Sequence, residues 1–233
     1  SSPFFTFLHL SSPFFTFHIS RISHSYSYSL SLVQKHFPPS SRLFLYTSVC
    51  VRAVANMAKH LCLESSFMSD KVFGFRAFME GPASSAEKAE LMAQVKEDWA
   101  SHPITLESYI SVICSLDSDD APKFIRSLLA DKCFQINLAG HARTACRGWA
   151  SQRKRSLLTV EGLALTRDMF ITVGKVNQMS AQALVNAFND LAKFDKDQQN
   201  RMVSTLQEMQ DGIDPVTEQS LYNQLNTALK NYR

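Results

Sequence analysis

The chain has 233 residues, of which 45% are hydrophobic and 19% charged, with a formal net charge of +3. That length suits one or two domains, and the positive excess is too small and too local to be a nucleic-acid footprint. No run of 18 uncharged apolar residues reads as a membrane helix, because the charge-free stretch 1–20 is broken by Pro3, Pro13 and several serines.

The first stretch differs in kind from the rest. Residues 1–63 contain no Asp or Glu, and their basic residues are Arg21, Lys35, Arg42, Arg52 and Lys59. All 21 acidic residues therefore lie from Glu64 onward, where the two signs nearly balance. The heptapeptide SSPFFTF stands at 1–7 and again at 11–17, followed by the serine alternation SRISHSYSYSLSL. Residues 1–56 show aromatic content without a helical period, which gives little basis for a packed unit. The opening serine points to a fragment, a processed form or a truncated reading frame. A Ser-rich, acid-free segment fits a transit peptide. It equally fits translated leader sequence with Met57 as the true start, and the direct repeat favours that reading. The expected location is correspondingly cytoplasmic or plastid/organellar. We take 1–63 as an irregular, transit-like or untranslated-derived segment and 64–233 as the folded domain.

Helical periodicity begins after Glu64. Asp70 to Met79 reads as a short helix ended by Gly81-Pro82. Ser84 and Glu87 have capping-box spacing. They open a helix to about Trp99 with Ala89, Leu91, Met92, Val95 and Trp99 as its apolar face. His102-Pro103 breaks the chain, and Thr105 is the expected cap of the next helix, whose apolar positions are Leu106, Tyr109, Ile110, Ile113 and Cys114. Pro122 suits a first turn, and Phe124, Ile125, Leu128 and Leu129 follow as a stripe. Further helices are predicted at about 138–151, 160–174, 180–194, 196–210 and 215–231, with Asp195 as a cap and Gly212 as a stop. Short loops make successive helices antiparallel neighbours. The predicted fold class is all-α: stacked antiparallel helical hairpins, an α-solenoid. The hairpins are too dissimilar to name a repeat family from period alone.

Residues that carry chemistry are scarce. The histidines are His9, His18, His24, His36, His60, His102 and His141. A gluzincin zinc site needs two histidines one helical turn apart with a glutamate between them; no pair here is four residues apart. There is no G-x-S-x-G elbow and no phosphate-binding G-x-x-x-x-G-K-[ST] loop. The five cysteines (Cys50, Cys62, Cys114, Cys133 and Cys146) are odd in number and lack C-x-x-C spacing. They point to a reducing compartment, with Cys114 and Cys146 as small core hydrophobes. Arg153-Lys154-Arg155 reads as a solvated loop between helices. Trp99 and Trp149 read as core.

Several segments resemble one known family. Met68-Ser69-Asp70-Lys71 is similar to a Met-Thr-Asp-Arg stretch. Phe124 to Cys133 (FIRSLLADKC) resembles V-R-x-L-L-x-H, with Phe134 following as the family's Phe does. Phe194-Asp195, Gln198-Gln199 and Met202 resemble Y-D-x-x-R-Q-x-x-M, and Ser220-Leu221-Tyr222 through Leu229 resemble D-L-Y-E-K-I-T-K-A-L. In this order and spacing they resemble the C-terminal helical domain of aminopeptidase N, a gluzincin zinc metallopeptidase, in its bacterial and plastid form.

The resemblance implies a helical lid and chamber wall, inactive alone, whose Zn²⁺ and general base lie in an upstream catalytic domain. This chain itself is then expected to hold no cofactor. Its implied partners are that missing domain and peptides, with no nucleic acid and no membrane. The family's N-P-N-R-I-R run corresponds to Leu138 through Arg143, so Arg143 is the one retained arginine and the candidate chamber residue. The family's Gln and Arg in Asn-Pro-Gln-x-x-x-Arg correspond to Met179 and Ala183. Those two departures leave open a standalone or diverged non-catalytic scaffold that binds a protein or peptide.

Overall fold

The computed structural model describes residues 39–230. The chain divides into two units, Ser1–Met57 and Ala58–Arg233. Helix α1 (Pro39–Glu64) crosses that division, and the account below concerns the second unit. A helix over 39–64 differs from the expectation of an irregular stretch there: its sequence lacks acidic residues and a clear alternation of polar and apolar faces, which hid it from a periodicity reading. The repeated segment 1–17 and the serine alternation lie outside the described residues.

Ten helical elements follow. They are α2 (Met68–Glu80), α3 (Ser85–Trp99), α4 (Pro103–Cys114), α5 (Ala121–Leu129), α6 (Ala139–Ser151), the single turn α7 (Arg153–Ser156), α8 (Val160–Gly174), α9 (Gln178–Asn186), α10 (Lys196–Asp211) and α11 (Gln219–Lys230). A 3₁₀ segment, Ala187–Lys193, links α9 to α10. No strand occurs among the described residues. The fold is all-helical, as the sequence predicts.

The helices form two layers. In the first, α2 packs on α4, α4 on α6, α6 on α9 and α9 on α11; in the second, α5 packs on α8 and α8 on α10. Helix α3 packs on α4 of the first layer. Neighbours within a layer run parallel. Gln178 reaches Thr217, Gln182 reaches Ser220 and Asn186 reaches Gln224, at chain separations of 39, 38 and 38 residues. A constant separation along two helices is the signature of parallel, in-register packing. The first-layer helices α4, α6, α9 and α11 start at Pro103, Ala139, Gln178 and Gln219. One hairpin is thus the repeat, and each hairpin buries its face only against the next.

Local chemistry explains most boundaries. Ser84 Oγ accepts from the Glu87 N–H, and the Glu87 carboxylate accepts from the Ser84 N–H at 2.9 Å, closing the predicted capping box. Thr159, Asn177 and Asp195 cap α8, α9 and α10 in the same way. Thr105 does not cap α4. The helix starts at Pro103, whose missing N–H costs nothing in a first turn, and the Thr105 hydroxyl donates to Trp99 O at 2.8 Å. The predicted helix 180–194 stops being α at Asn186, because Asp190 has φ −96° and ψ 17°. The last helix starts at Gln219 rather than 215: the Asp214 carboxylate accepts from the Val216 and Thr217 N–H groups and holds a turn there.

The core lies between the layers. Phe75, Leu91, Ile110, Ile113, Trp149 and Phe170 are among its fully buried members. Each such side chain contributes about 1.5–3 kcal/mol by leaving water. Phe75 stacks on Tyr109 at 5.6 Å and meets Trp99 edge-on at 5.7 Å, tying α2 to α3 and α4. Both predicted core tryptophans are buried. The predicted α3 stripe needs one change: Lys88 is buried and Ala89 exposed. A lysine stem can lie along apolar surface with its ammonium in water, so residue type alone set the stripe's phase wrongly. Gly74 is required by contact, since a Cβ there would stand 2.6 Å from Cys62 N and 2.7 Å from Ala58 O.

Candidate functional site

The outward side of the first layer is polar and built from one stripe per helix. On α6 the exposed positions are Ala139, Arg143, Arg147 and Ser151, one turn apart. Helix α4 lies on one side and α9 on the other. Arg143 and Arg147 each make no hydrogen bond or ion pair to a described residue, so two guanidinium groups stand solvated on one helical face. Along α9 and α11 the stripe becomes an amide ladder. Gln178 Nε2 donates to Thr217 O at 2.8 Å, Gln182 Nε2 to Ser220 Oγ at 3.2 Å, and Gln224 Nε2 to Asn186 Oδ1 at 2.7 Å. Met179 and Ala183, the two departures noted in the sequence, belong to the same helix. Met179 is exposed and Ala183 half-buried. They therefore add no polar group to this face.

Near the start of α6, Glu107 of α4 covers Gly140, where a Cβ would clash with its carboxylate. His141, the next residue, is buried. Its Nδ1 accepts from the Gln135 N–H at 3.1 Å, which places the proton of the neutral ring on Nε2, and its ring lies 5.9 Å from that of Phe134. Burial holds the imidazole below its ordinary pKa, against the opposing pull of Glu107.

A groove of about 270 Å³ opens between α3 and α5, with Lys96, Tyr109, Lys123 and Asp131 in its lining. Lys96 Nζ donates to Asp131 Oδ2 at 2.5 Å. The Cys133 N–H donates to Asp131 Oδ1 at 2.9 Å. That backbone bond, with the lysine, brings the Asp131 pKa down to about 2. Burial, with the carboxylate beside it, raises Cys133 to about 11. The thiol is therefore protonated and a poor nucleophile at neutral pH. Burial likewise raises Cys62 to about 11 and Cys146 to about 12. Lys96 and Asp131 thus satisfy each other.

Among the described residues, no three His, Cys, Asp or Glu side chains are grouped as metal ligands. His141 has its Nδ1 engaged, and His102 stands at the N-terminus of α4. These residues do not fit a zinc site, and no zinc-dependent step is derived for this chain. The basic run 153–155 forms a helical turn rather than a free loop. Arg153 pairs with Asp190, and Arg155 pairs with Asp117 at 2.7 Å and with Asp119.

The family model described as domain of unknown function DUF3458_C, ARM repeats, matches residues 43–219. The chain belongs to this family. The match agrees with the resemblance to the C-terminal domain of aminopeptidase N-type proteins read from the sequence. It also supplies the repeat name that the dissimilar hairpins withheld. The solved structure of Legionella pneumophila aminopeptidase A in complex with aspartic acid is similar in fold, with a TM-score of 0.62 and 14% sequence identity. The similarity covers 90% of this chain and 27% of the aminopeptidase A chain, so the chain spans about a quarter of that protein. No curated protein matches the sequence. No helix among the described residues is long and apolar enough to cross a membrane.

Proposed function

We propose that this chain is the helical C-terminal wall of a zinc aminopeptidase that removes N-terminal residues from peptides. The zinc and its activated water would belong to a part of the protein outside this chain. One observation carries the reading: the fold likeness takes in 90% of this chain but 27% of the aminopeptidase A chain, the share expected of one domain of such an enzyme. The polar outward face of α4, α6, α9 and α11 would line a chamber. There Arg143, which has no hydrogen-bond or ion-pair partner among the described residues, would offer hydrogen bonds to peptide carbonyl or carboxylate oxygens.

The test has two parts. The purified chain is incubated with zinc and the alanine or arginine amide of a fluorogenic amine; no turnover and no retained zinc are expected. Chelator-sensitive turnover would overturn the reading, because it requires a zinc site within this chain. The genomic sequence upstream is then read for an in-frame H-E-x-x-H. In the longer enzyme, Arg143→Ala is expected to raise KM; unchanged KM and kcat remove Arg143 from the chamber.

A second reading is favoured by a specific observation. Met179 on α9 is 76% exposed, and Val216, in the turn ahead of the neighbouring α11, is 83% exposed, which suits a non-catalytic scaffold that binds protein. An upstream stop codon in place of a zinc domain would select it.

A further inference from the structure

The groove between α3 and α5 has two single helical faces for walls. Ser85, Ala89, Met92 and Lys96 follow one another about one turn apart along α3. Asp120, Phe124, Ser127 and Asp131 do the same from the residue before α5 to just past its end. At about 1.5 Å per residue, each wall runs for roughly 16 Å. Helix α3 packs on α4 rather than along α5, and Ala89 offers only a methyl group to the gap. The Lys96–Asp131 ion pair joins the last positions of the two walls and closes that end.

The floor is Tyr109 of α4. Its ring is held by stacking on Phe75 at 5.6 Å, and the residue is 3% exposed. Its hydroxyl has no hydrogen-bond partner among the described residues, although a buried phenol normally finds one. Burial, with Cys133 and Asp131 close by, holds this phenol above its ordinary pKa, so at neutral pH it can donate. The closed end therefore presents one fixed O–H donor and the Lys96 N–H groups that Asp131 does not engage. It also presents the acceptor capacity that Lys96 and the Cys133 N–H leave on the Asp131 carboxylate.

Donors, a cation and an anion side by side match a ligand head that carries both charges. Beyond that head the walls are apolar: Met92 on one side, and the buried Phe124 and Leu128 on the other. Size limits the ligand. The groove holds about 270 Å³, small for a ligand cleft. At about 30 Å³ for each water-sized group, it takes roughly nine non-hydrogen atoms. We infer that this groove binds a free aliphatic α-amino acid of the size of leucine. Its carboxylate meets the Tyr109 hydroxyl and Lys96 Nζ, its ammonium meets Asp131, and its side chain lies between Met92, Phe124 and Leu128. The site belongs wholly to this chain, so the inference does not depend on an upstream zinc domain.

L-Leucine is titrated into the purified chain by calorimetry, with ligand-observed NMR as a second readout, and saturable binding to one site is expected. Isocaproate, which lacks the ammonium, and isoamylamine, which lacks the carboxylate, are each expected to bind about tenfold more weakly or worse, the factor carried by a hydrogen bond to a charged group. Tyr109→Phe removes only the unpartnered oxygen. Its circular dichroism and urea midpoint are expected to match the unmodified chain, while leucine binding falls about tenfold. Ser127→Phe, at an exposed position of the lining, fills the groove and is expected to abolish binding; it serves as the second variant should Tyr109→Phe misfold. Val160→Asp, exposed on α8 away from the groove, is expected to bind as the unmodified chain does. No saturation by L-leucine up to about 10 mM, beyond the affinity of a specific small-ligand site, overturns the inference. So does equal binding by a folded Tyr109→Phe or Ser127→Phe chain, which would leave the hydroxyl to water alone. Equal affinity for leucine and isocaproate would remove the ammonium from Asp131 and overturn the inference as well.

Discussion

Trp149 is fully buried, and its indole N–H has one partner, Thr166 Oγ1 at 2.9 Å. The Thr166 hydroxyl lies 2.8 Å from Gly162 O and donates there. Thr166→Val keeps the shape but leaves the indole donor orphaned, so a loss of about 1–3 kcal/mol is expected in urea unfolding. His141 adds a pH dependence. Burial lowers its folded pKa, with Glu107 opposing, so the unfolded chain binds the proton more readily. Its contribution is complete above the unfolded value, about 6.5, and is lost as pH falls through the folded one. Protonation also removes the lone pair that accepts from Gln135. Urea midpoints compared at neutral and mildly acid pH should fall more for the unmodified chain than for His141→Gln; parallel losses would exclude His141 as the cause. The tryptophans were legible as core because aromatic residues ending apolar stripes face inward. The role of His141 was not: its partners, the Gln135 N–H and Glu107, come from a loop and another helix.

At the scale of elements, the strongest sequence signals were those with a local cause. The Ser84–Glu87 capping box and the Asp195 cap need only residues three apart, and both form as spaced. Ser84→Ala is expected to cost about 1 kcal/mol, read as a fall in the thermal midpoint. Thr105 failed as a cap because two candidates competed, and the proline two residues earlier started the helix first. The break after Asn186 had no marker in sequence, since Phe188 and Leu191 continue the apolar spacing and are buried in the 3₁₀ segment instead. Gly162 shows the reverse case. An ordinary-looking helical glycine is required because a Cβ there would stand 1.8 Å from Arg155 O, where α7 meets α8.

At the scale of the molecule, side-chain links repeat with the hairpin. Asp168 of α8 pairs with Arg126 of α5 at 3.0 Å and with its neighbour Arg167 at 2.8 Å, and Arg167 reaches Glu208 of α10 at 2.6 Å. Three second-layer helices are thereby joined by one chain of charges. Partial burial pushes the Asp168 carboxyl up, but the two arginines outweigh it and hold it low. Its contribution is present above the ordinary carboxylate range and is lost as pH falls through the folded pKa. The pairs are well exposed, so Asp168→Asn should cost only about 0.5 kcal/mol. That cost should shrink in high salt; a salt-independent loss would mean that packing, not charge, was removed.

By itself the sequence determined the helical class, the core tryptophans, the sound caps and the family. Each follows from spacing within one or two turns, where backbone geometry alone decides which side chains meet. The tertiary structure alone decided the rest: the parallel rows and the charge chain over α5, α8 and α10. Those features join residues about one hairpin apart. Loop length and helix crossing determine such meetings, and neither is written in the period of any single helix.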